Sequence, residues 1–356
     1  MRTSNVSTVA PVFPDDSPRG QRLSRRARAI PTEIVAFLAV TLLLPLLLVV
    51  ASVVDLALWL LRRKPRVGAR LVLFAWWFLL GEMRSLVTIG WIWASNGGPF
   101  RGDSERRRLG IYNLRVWWTR HHLAGIRVLF GLRFEVEGLE HAGPGPVIVM
   151  IRHASIIDNT LPDALIAHEH GIGLRYVIKR ELQSIPVIDI GGRWCPTNFV
   201  RRASGDTEGE VKRLLMLTED LGAGEGILIY PEGTRATAAK IARAKEKLRE
   251  SQPEISPLAD RLQNLLPPRL GGPLALLDEA AGVDVVFCGH VGFDGLARVS
   301  DIWSGELVGR TIAVTLWRCP AAEIPSGREG RIRWLYENWQ RMDDWIGERR
   351  GTPPAA

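Results

Sequence analysis

The chain has 356 residues and a basic composition, with 46 lysines and arginines against 38 acidic residues and a formal net charge of +8. This length accommodates one large domain with appendages or two small domains. The charge suits anionic partners, but zinc-finger spacing and the aromatic signature of RNA-binding sheets are absent, which argues against nucleic acid. The three cysteines are far apart and lack metal-ligand spacing, so we expect a reduced compartment, inert thiols and no metal site.

The N-terminal part of the chain changes character near residue 30. Residues 1–30 are rich in proline, serine and arginine, which predicts a disordered basic tail. Residues 34–54 are uncharged, and 21 residues at a helical rise of 1.5 Å span about 30 Å, one hydrocarbon thickness. A buried helix of a soluble protein is the alternative interpretation of this stretch.

A second apolar stretch at 71–93 carries Glu82 and Arg84, each of which costs about 3 kcal/mol at the centre of a membrane. The basic segment 62–66 lies between the two stretches, and translocating it across a bilayer is unfavourable. We therefore predict that residues 31–100 form a membrane-associated helical hairpin seated in one leaflet. A single span followed by an interfacial helix is the alternative.

From Arg133 onward, short apolar runs alternate with helical patterns. This alternation predicts an α/β domain over 101–350, with a largely parallel sheet flanked by helices. A polar, Pro-rich helical insert interrupts it at 236–272, and the apolar spacing near the C-terminus predicts a helix that packs on the core. The predicted strands are 134–136, 147–151, 176–178, 198–200, 226–230, 283–287 and 311–316.

Histidine and aspartate follow the buried strand 147–151, as His153 and Asp158. In a parallel sheet, ligands bind beyond the strand ends, so His153 is placed where chemistry occurs. A carboxylate on one imidazole nitrogen fixes the tautomer and leaves the other nitrogen to accept a proton. A chain of this composition has such a His–Asp spacing by chance roughly a third of the time, so a purely structural His–carboxylate hydrogen bond is the alternative.

Two arginines also follow predicted strands. Arg202 ends one strand, and Arg235 ends a tight turn after another. Converging guanidiniums make a bidentate clamp for phosphate, to which Gly233 adds close backbone approach and Thr234 adds a hydroxyl donor. Either arginine alone would be an ordinary solvated surface residue.

Two more charged residues lie at strand ends. Glu232 could pair with an arginine and shape the turn, or it could position a substrate hydroxyl; we favour the structural role. Lys179 is a third candidate for contact with phosphate.

Together these motifs resemble the 1-acylglycerol-3-phosphate acyltransferase family over roughly residues 130–320. The matching blocks, in order, are His153-x4-Asp158, Lys179-Arg-Glu-Leu182, Phe199-Val-Arg-Arg202 and Tyr230-Pro-Glu-Gly-Thr-Arg235.

The resemblance implies acyl transfer from a thioester, acyl-CoA or acyl-carrier protein, to lysophosphatidic acid, giving phosphatidic acid. It makes His153 the general base and Asp158 its orienting partner, and it assigns the acceptor phosphate to Arg202, Glu232, Gly233 and Arg235. The partners are the lipid acceptor, the acyl donor and a bilayer, with the catalytic domain on the cytoplasmic face and no further cofactor. A different lysophospholipid or glycolipid acceptor, or a non-catalytic role in binding anionic lipid, stays open.

The chain departs from the family pattern at two places. Arg152 precedes the histidine where the family usually has asparagine, and the segment 287–290 replaces a block that usually carries proline. His290 in that segment is interpreted as a packed strand-end histidine. The sequence also lacks a Gly-x-Ser-x-Gly elbow, so the substrate's own hydroxyl is the expected nucleophile.

Overall fold

The computed structural model describes residues 17–98, 100, 105–195, 197–200, 207–296 and 299–351. The described part of the chain begins with three long helices: α1 (Arg19–Arg62), α2 (Gly68–Ser95) and α3 (Glu105–Phe130). The predicted tail is therefore wrong from Arg19 onward, where the chain is already helical. The arginines and alanines of 25–29 are strong helix formers, and their propensity outweighs the polar composition that predicted a tail.

A tight turn joins α1 and α2 into a hairpin. Arg63 adopts a left-handed conformation at the end of α1. The buried carboxylate of Asp55 accepts hydrogen bonds from the backbone N–H groups of Val67 at 3.2 Å, Gly68 at 2.8 Å and Ala69 at 3.0 Å. These bonds satisfy donors that have no partner within α2 and place a negative charge at its N-terminus, so Asp55 holds the hairpin closed.

The second helix of the hairpin packs along α3. Trp77 donates from its indole nitrogen to the backbone oxygen of His121 at 2.9 Å, and the two rings stack with centroids 4.3 Å apart. Gly125 permits this approach, because a side chain there would collide with the indole of Trp77. Further along, Glu82 is buried between the two helices, within 3.3 Å of His122. Thus α2 forms a layer of the domain rather than a free helix.

Both ends of α1 contact the rest of the domain. Near its start, Arg25 and Arg26 bind the carboxylate of Asp189, with 2.6 Å between Arg26 Nε and Asp189 Oδ2. Just past its end, the Lys64 ammonium lies 5.2 Å from the ring centroid of Trp303. A helix of 44 residues is about 66 Å long, so these two contacts with the domain lie far apart.

Within the described residues, the sheet has seven strands in the order β1-β7-β6-β2-β5-β3-β4. All neighbours pair in parallel except β6 and β7, which are antiparallel. Each strand overlaps one predicted from the sequence, and the α/β prediction with a largely parallel sheet is confirmed. The bounds are β1 (Arg133–Glu137), β2 (Val147–Ile151), β3 (Gly173–Lys179), β4 (Thr197–Val200), β5 (Glu225–Ile229), β6 (Asp284–Val291) and β7 (Thr311–Cys319).

Helices cover both faces of the sheet. One apolar core lies under α3, and the other lies under the C-terminal helix, whose Leu335, Trp339 and Met342 are buried as predicted. The insert helix α7 buries none of its side chains, whereas the rest of the insert packs on the core through Ile255, Leu262 and Leu265. The remaining helices are α4 (His168–His170), α5 (Pro186–Gly191), α6 (Thr207–Leu215), α7 (Ala238–Ser251), α8 (Ser256–Arg261), α9 (Gly271–Glu279) and α10 (Arg328–Gly351).

Most of the predicted site residues lie at one edge of the sheet. Strands β6, β2, β5, β3 and β4 all run in the same direction, so their carboxyl ends meet at this edge, which we call the carboxyl edge. His153 follows β2, Glu232 follows β5, and Lys179 ends β3. The topology thus brings together residues that are distant in the chain.

Candidate active site

The His–Asp pair forms as predicted at the carboxyl edge. His153 Nδ1 lies 3.2 Å from Oδ1 and 3.4 Å from Oδ2 of Asp158. The Asp158 carboxylate also accepts from the backbone N–H groups of Ala154 and Ser155, at 2.7 Å each. The ring of Tyr230 packs on the imidazole with centroids 4.5 Å apart. With Nδ1–H donating to the carboxylate, Nε2 is left to accept a proton.

Asp158 keeps its negative charge although it is fully buried. Burial alone would raise its pKa, but hydrogen bonds and charges from His153 and His290 outweigh burial and hold the pKa well below its usual range. An ionised carboxylate at this position stabilises the imidazolium that forms when His153 takes a proton.

Glu232 has a structural role, as we favoured, although its partners are not arginines. Its Oε1 accepts from the backbone N–H of His153 at 2.7 Å, and its Oε2 accepts from the N–H of Leu266 at 3.2 Å. Burial raises the pKa of Glu232 to about 8, against the opposing effect of these donors and of the charge on Arg152. A buried carboxyl group with both oxygens bonded to the backbone orients the chain at His153, and its oxygens are not placed to bind a phosphate as predicted.

The turn after β5 is tied directly to the histidine. The backbone N–H of Ala236 donates to the carbonyl oxygen of His153 at 2.8 Å, so the turn and the His–Asp pair share one edge. Gly233 has a φ of +64°, and a side chain there would lie 2.8 Å from Nε of Arg269. The positive φ favours glycine here, and the absence of a side chain leaves room for the Arg269 guanidinium above the turn.

Two cations that the sequence analysis did not select lie at this turn. Arg269, which is exposed, covers Gly233. Lys240 donates to the Thr234 hydroxyl at 3.1 Å and to the Arg235 carbonyl oxygen at 2.9 Å. Because Thr234 Oγ1 accepts this bond, its hydrogen is left to donate to a ligand. A local motif could not indicate Arg269, since only folding brings it to the turn.

The structure describes one of the two other residues that we predicted to contact phosphate. Lys179 lies at the carboxyl edge and forms a half-exposed ion pair with Glu181 at 3.3 Å. Arg202 lies outside the described residues; the strand that precedes it in the chain, β4, ends at the same edge. Lys179 and Arg202 therefore stay predictions.

A second histidine reaches the pair from β6. His290 Nε2 lies 3.6 Å from Oδ2 of Asp158, and the side chain is fully buried. It is a packed strand-end histidine, as interpreted from the sequence, but its contact with Asp158 was not foreseen. The parallel pairing of β6 with β2 creates this contact.

Comparisons with known proteins relate this fold to acyltransferases. Residues 133–258 match the family model described as Acyltransferase. The crystal structure of the 1-acyl-sn-glycerophosphate (LPA) acyltransferase PlsC from Thermotoga maritima has the same fold, with a TM-score of 0.50 and 15% identity over 80% of this chain and all of that one.

Three curated proteins are similar in sequence. A mouse protein, 1-acyl-sn-glycerol-3-phosphate acyltransferase epsilon, is 24% identical over 58% of this chain and 59% of its own length. Two proteins of Pseudomonas aeruginosa follow: lyso-ornithine lipid O-acyltransferase, 32% identical over 39% of this chain and 50% of its own length, and 1-acyl-sn-glycerol-3-phosphate acyltransferase, 27% identical over 41% and 51%. The chain thus spans between half and three fifths of these relatives. These similarities agree with the resemblance to the 1-acylglycerol-3-phosphate acyltransferase family that the motifs indicated.

Proposed function

We propose that the protein transfers a fatty acyl chain from an acyl thioester to the free hydroxyl of lysophosphatidic acid, giving phosphatidic acid. The observation that carries this proposal is the buried His153–Asp158 pair, joined by the Ala236-to-His153 hydrogen bond to a turn that bears Arg235. The donor is acyl-CoA or acyl-carrier protein.

The proposed reaction needs no protein nucleophile. His153 Nε2 takes the proton as the acceptor hydroxyl oxygen attacks the thioester carbonyl carbon. The tetrahedral intermediate then collapses, the C–S bond breaks, and the thiolate takes the proton from the imidazolium. Asp158 stabilises that imidazolium throughout. General base catalysis of this kind contributes about 10²–10⁴ in rate, and the rest comes from holding hydroxyl and thioester together.

The turn 232–236 supplies the acceptor's phosphate site in this proposal. Arg235 offers a guanidinium fork, Gly233 allows close approach, and the Thr234 hydroxyl has a hydrogen to donate. Arg269 adds a second guanidinium above Gly233. We retain Arg202 and Lys179 as further predicted contacts.

Removing the Arg235 guanidinium tests this acceptor. We expect Arg235→Ala to raise KM for lysophosphatidic acid about tenfold or more, because a charge-assisted hydrogen bond is lost, and to change kcat less. The exposed Arg243→Ala on α7 is the matched control and should behave as wild type. Initial rates with a panel of lyso-acceptors, with products identified by mass spectrometry, provide the measurement.

One relative favours a second acceptor. The protein that is 32% identical is named a lyso-ornithine lipid O-acyltransferase, so the panel includes that lipid. A high rate with lyso-ornithine lipid that is insensitive to Arg235→Ala would replace lysophosphatidic acid as the acceptor. Lipid binding without transfer from either donor would favour the non-catalytic alternative.

We also propose that the hairpin lies in one leaflet of the bilayer. Both α1 and α2 are long and apolar enough to cross a membrane. A crossing helix places its ends on opposite sides, whereas both ends of α1 contact the same domain. Its free face is apolar and exposed, and basic residues at the hairpin ends suit anionic headgroups of the cytoplasmic leaflet. The exposed apolar side chains of α1 include Leu38, Leu42, Leu46, Val49, Val53 and Leu61.

Labelling from one side of the membrane tests this arrangement. The three native cysteines are buried, so single cysteines can be introduced at exposed positions. Gln21→Cys and Arg66→Cys mark the two ends of α1, and Glu329→Cys marks the domain. We expect an impermeant maleimide to label all three from the same side of sealed vesicles. Labelling of the two α1 positions from opposite sides would establish a span instead.

A further inference from the structure

We infer that His290 is a positioning residue of the site, which holds Asp158 in the orientation that serves His153. Only the kinetic test of this inference rests on the proposed function. None of the four sequence blocks includes His290, which lies more than a hundred residues beyond the His–Asp pair in the chain.

The geometry makes His290 a donor toward Asp158. Its Nε2 lies 3.2 Å from the backbone oxygen of Arg152 and 3.6 Å from Oδ2 of Asp158. Both neighbours are acceptors, so Nε2 carries the hydrogen. The other nitrogen, Nδ1, is buried and has no hydrogen-bond partner among the described residues. A hydrogen on Nδ1 would be buried without an acceptor, so the structure favours the Nε2–H tautomer.

This donor divides the two oxygens of Asp158 between different tasks. Oδ2 faces the N–H groups of Ala154 and Ser155 and the imidazole of His290. Oδ1 is the oxygen nearer to His153, at 3.2 Å. Oδ2 accepts two backbone hydrogen bonds and faces the His290 N–H at 3.6 Å, so the carboxylate cannot rotate freely and Oδ1 stays aligned with His153 Nδ1.

Arg152 holds His290 in a reciprocal way. Its guanidinium donates to the backbone oxygen of His290, while the His290 imidazole donates to the backbone oxygen of Arg152. The guanidinium, fully buried, also binds Asp294, which Arg350 of α10 contacts at 2.7 Å. The two departures from the family pattern, Arg152 and His290, therefore form one unit. The Arg152 guanidinium is paired inside the protein, which explains why an arginine fits at a position where the family usually has a smaller side chain.

Two substitutions separate positioning from packing. His290→Phe keeps a ring but removes the donor, whereas the amide nitrogen of His290→Gln can take the place of Nε2 and keep it. We expect His290→Phe to lower kcat about tenfold, the effect of losing a hydrogen bond to a charged group, with KM for both substrates nearly unchanged. His290→Gln should restore most of the rate.

The pH profile provides a readout that packing would not change. The charged and titratable groups facing His290 are Asp158 and His153 at the site and Arg152, with Asp294 bound to its guanidinium. Without the His290 donor, the Asp158 charge is less offset and holds the His153 proton more tightly. The acidic limb of the kcat profile should therefore move to higher pH in His290→Phe and return toward wild type in His290→Gln.

A measurement independent of turnover completes the test. With ¹⁵N-labelled histidine, the Nδ1–H resonance of His153 should shift in His290→Phe and return in His290→Gln. This resonance measurement tests the role of His290 even if the wild-type protein transfers no acyl group. Absence of transfer by wild type would refute the proposed function and not this inference. Unchanged rates, profile and resonance in both variants would overturn the inference. Equal losses in both variants with an unchanged pH profile and resonance would also overturn it and assign His290 to packing.

Discussion

The His153→Ala variant is expected to lose acyl transfer by about 10²–10⁴ in kcat. The methyl group cannot take the hydroxyl proton, while the turn that bears Arg235 keeps its place through backbone hydrogen bonds. KM for lysophosphatidic acid should therefore change little. Initial rates with purified protein in mixed lipid vesicles, lysophosphatidic acid and acyl-CoA or acyl-carrier protein provide the measurement.

A second histidine serves as the control. His141 lies between β1 and β2, and its side chain is 51% exposed beside Glu140. His141→Ala should retain wild-type rates, because this residue lies on the surface and apart from the predicted site. If His153→Ala turns over as fast as wild type, the proposed base is wrong. If both variants lose activity equally, the loss comes from a general effect of the substitution.

The Asp158→Asn variant is expected to lose about 10³–10⁴ in kcat. Three groups donate hydrogen bonds to the carboxylate: the Nδ1–H of His153 and the N–H groups of Ala154 and Ser155. An amide has one acceptor oxygen, so its NH₂ group must face at least one of these donors. When the NH₂ group faces His153, the imidazole takes the other tautomer and its Nε2 can no longer accept a proton.

Stability against acid gives this variant a second readout. The folded pKa of Asp158 lies below its ordinary value, so its ionised form stabilises the fold above that value. This stabilisation is lost as the pH falls through the acid range toward the folded pKa. In Asp158→Asn, the free energy of unfolding should fall less steeply with acid. Exposed Asp344→Asn is the control, and equal acid sensitivity in wild type and Asp158→Asn would contradict the assigned ionisation.

The sheet could be predicted because its strands are short apolar runs between clear breaks. The run Val147–Ile151 is β-branched and continuous, and in the structure it is a central strand that is buried on both faces. The His153–Asp158 contact could also be predicted, because only a short return of the chain separates the two residues. Local pattern therefore determines both features.

Contacts between distant segments could not be predicted in the same way. From the sequence, Glu232 could pair with an arginine or position a substrate hydroxyl, whereas in the structure its oxygens bond to the backbone of His153 and Leu266. The contact of His290 with Asp158 depends on which strand pairs with β2. The prediction of a disordered tail is wrong from Arg19 onward for a different reason. Polar composition indicates disorder, but here helix propensity and ion pairs with Asp189 stabilise a helix.

The most direct test of the account is to identify the product of wild-type protein and of His153→Ala by mass spectrometry. Each is incubated in vesicles with lysophosphatidic acid and an isotope-labelled acyl thioester. The account predicts labelled phosphatidic acid with wild type and almost none with His153→Ala. Absence of labelled product from wild type with either donor, or equal amounts from the two proteins, would contradict it.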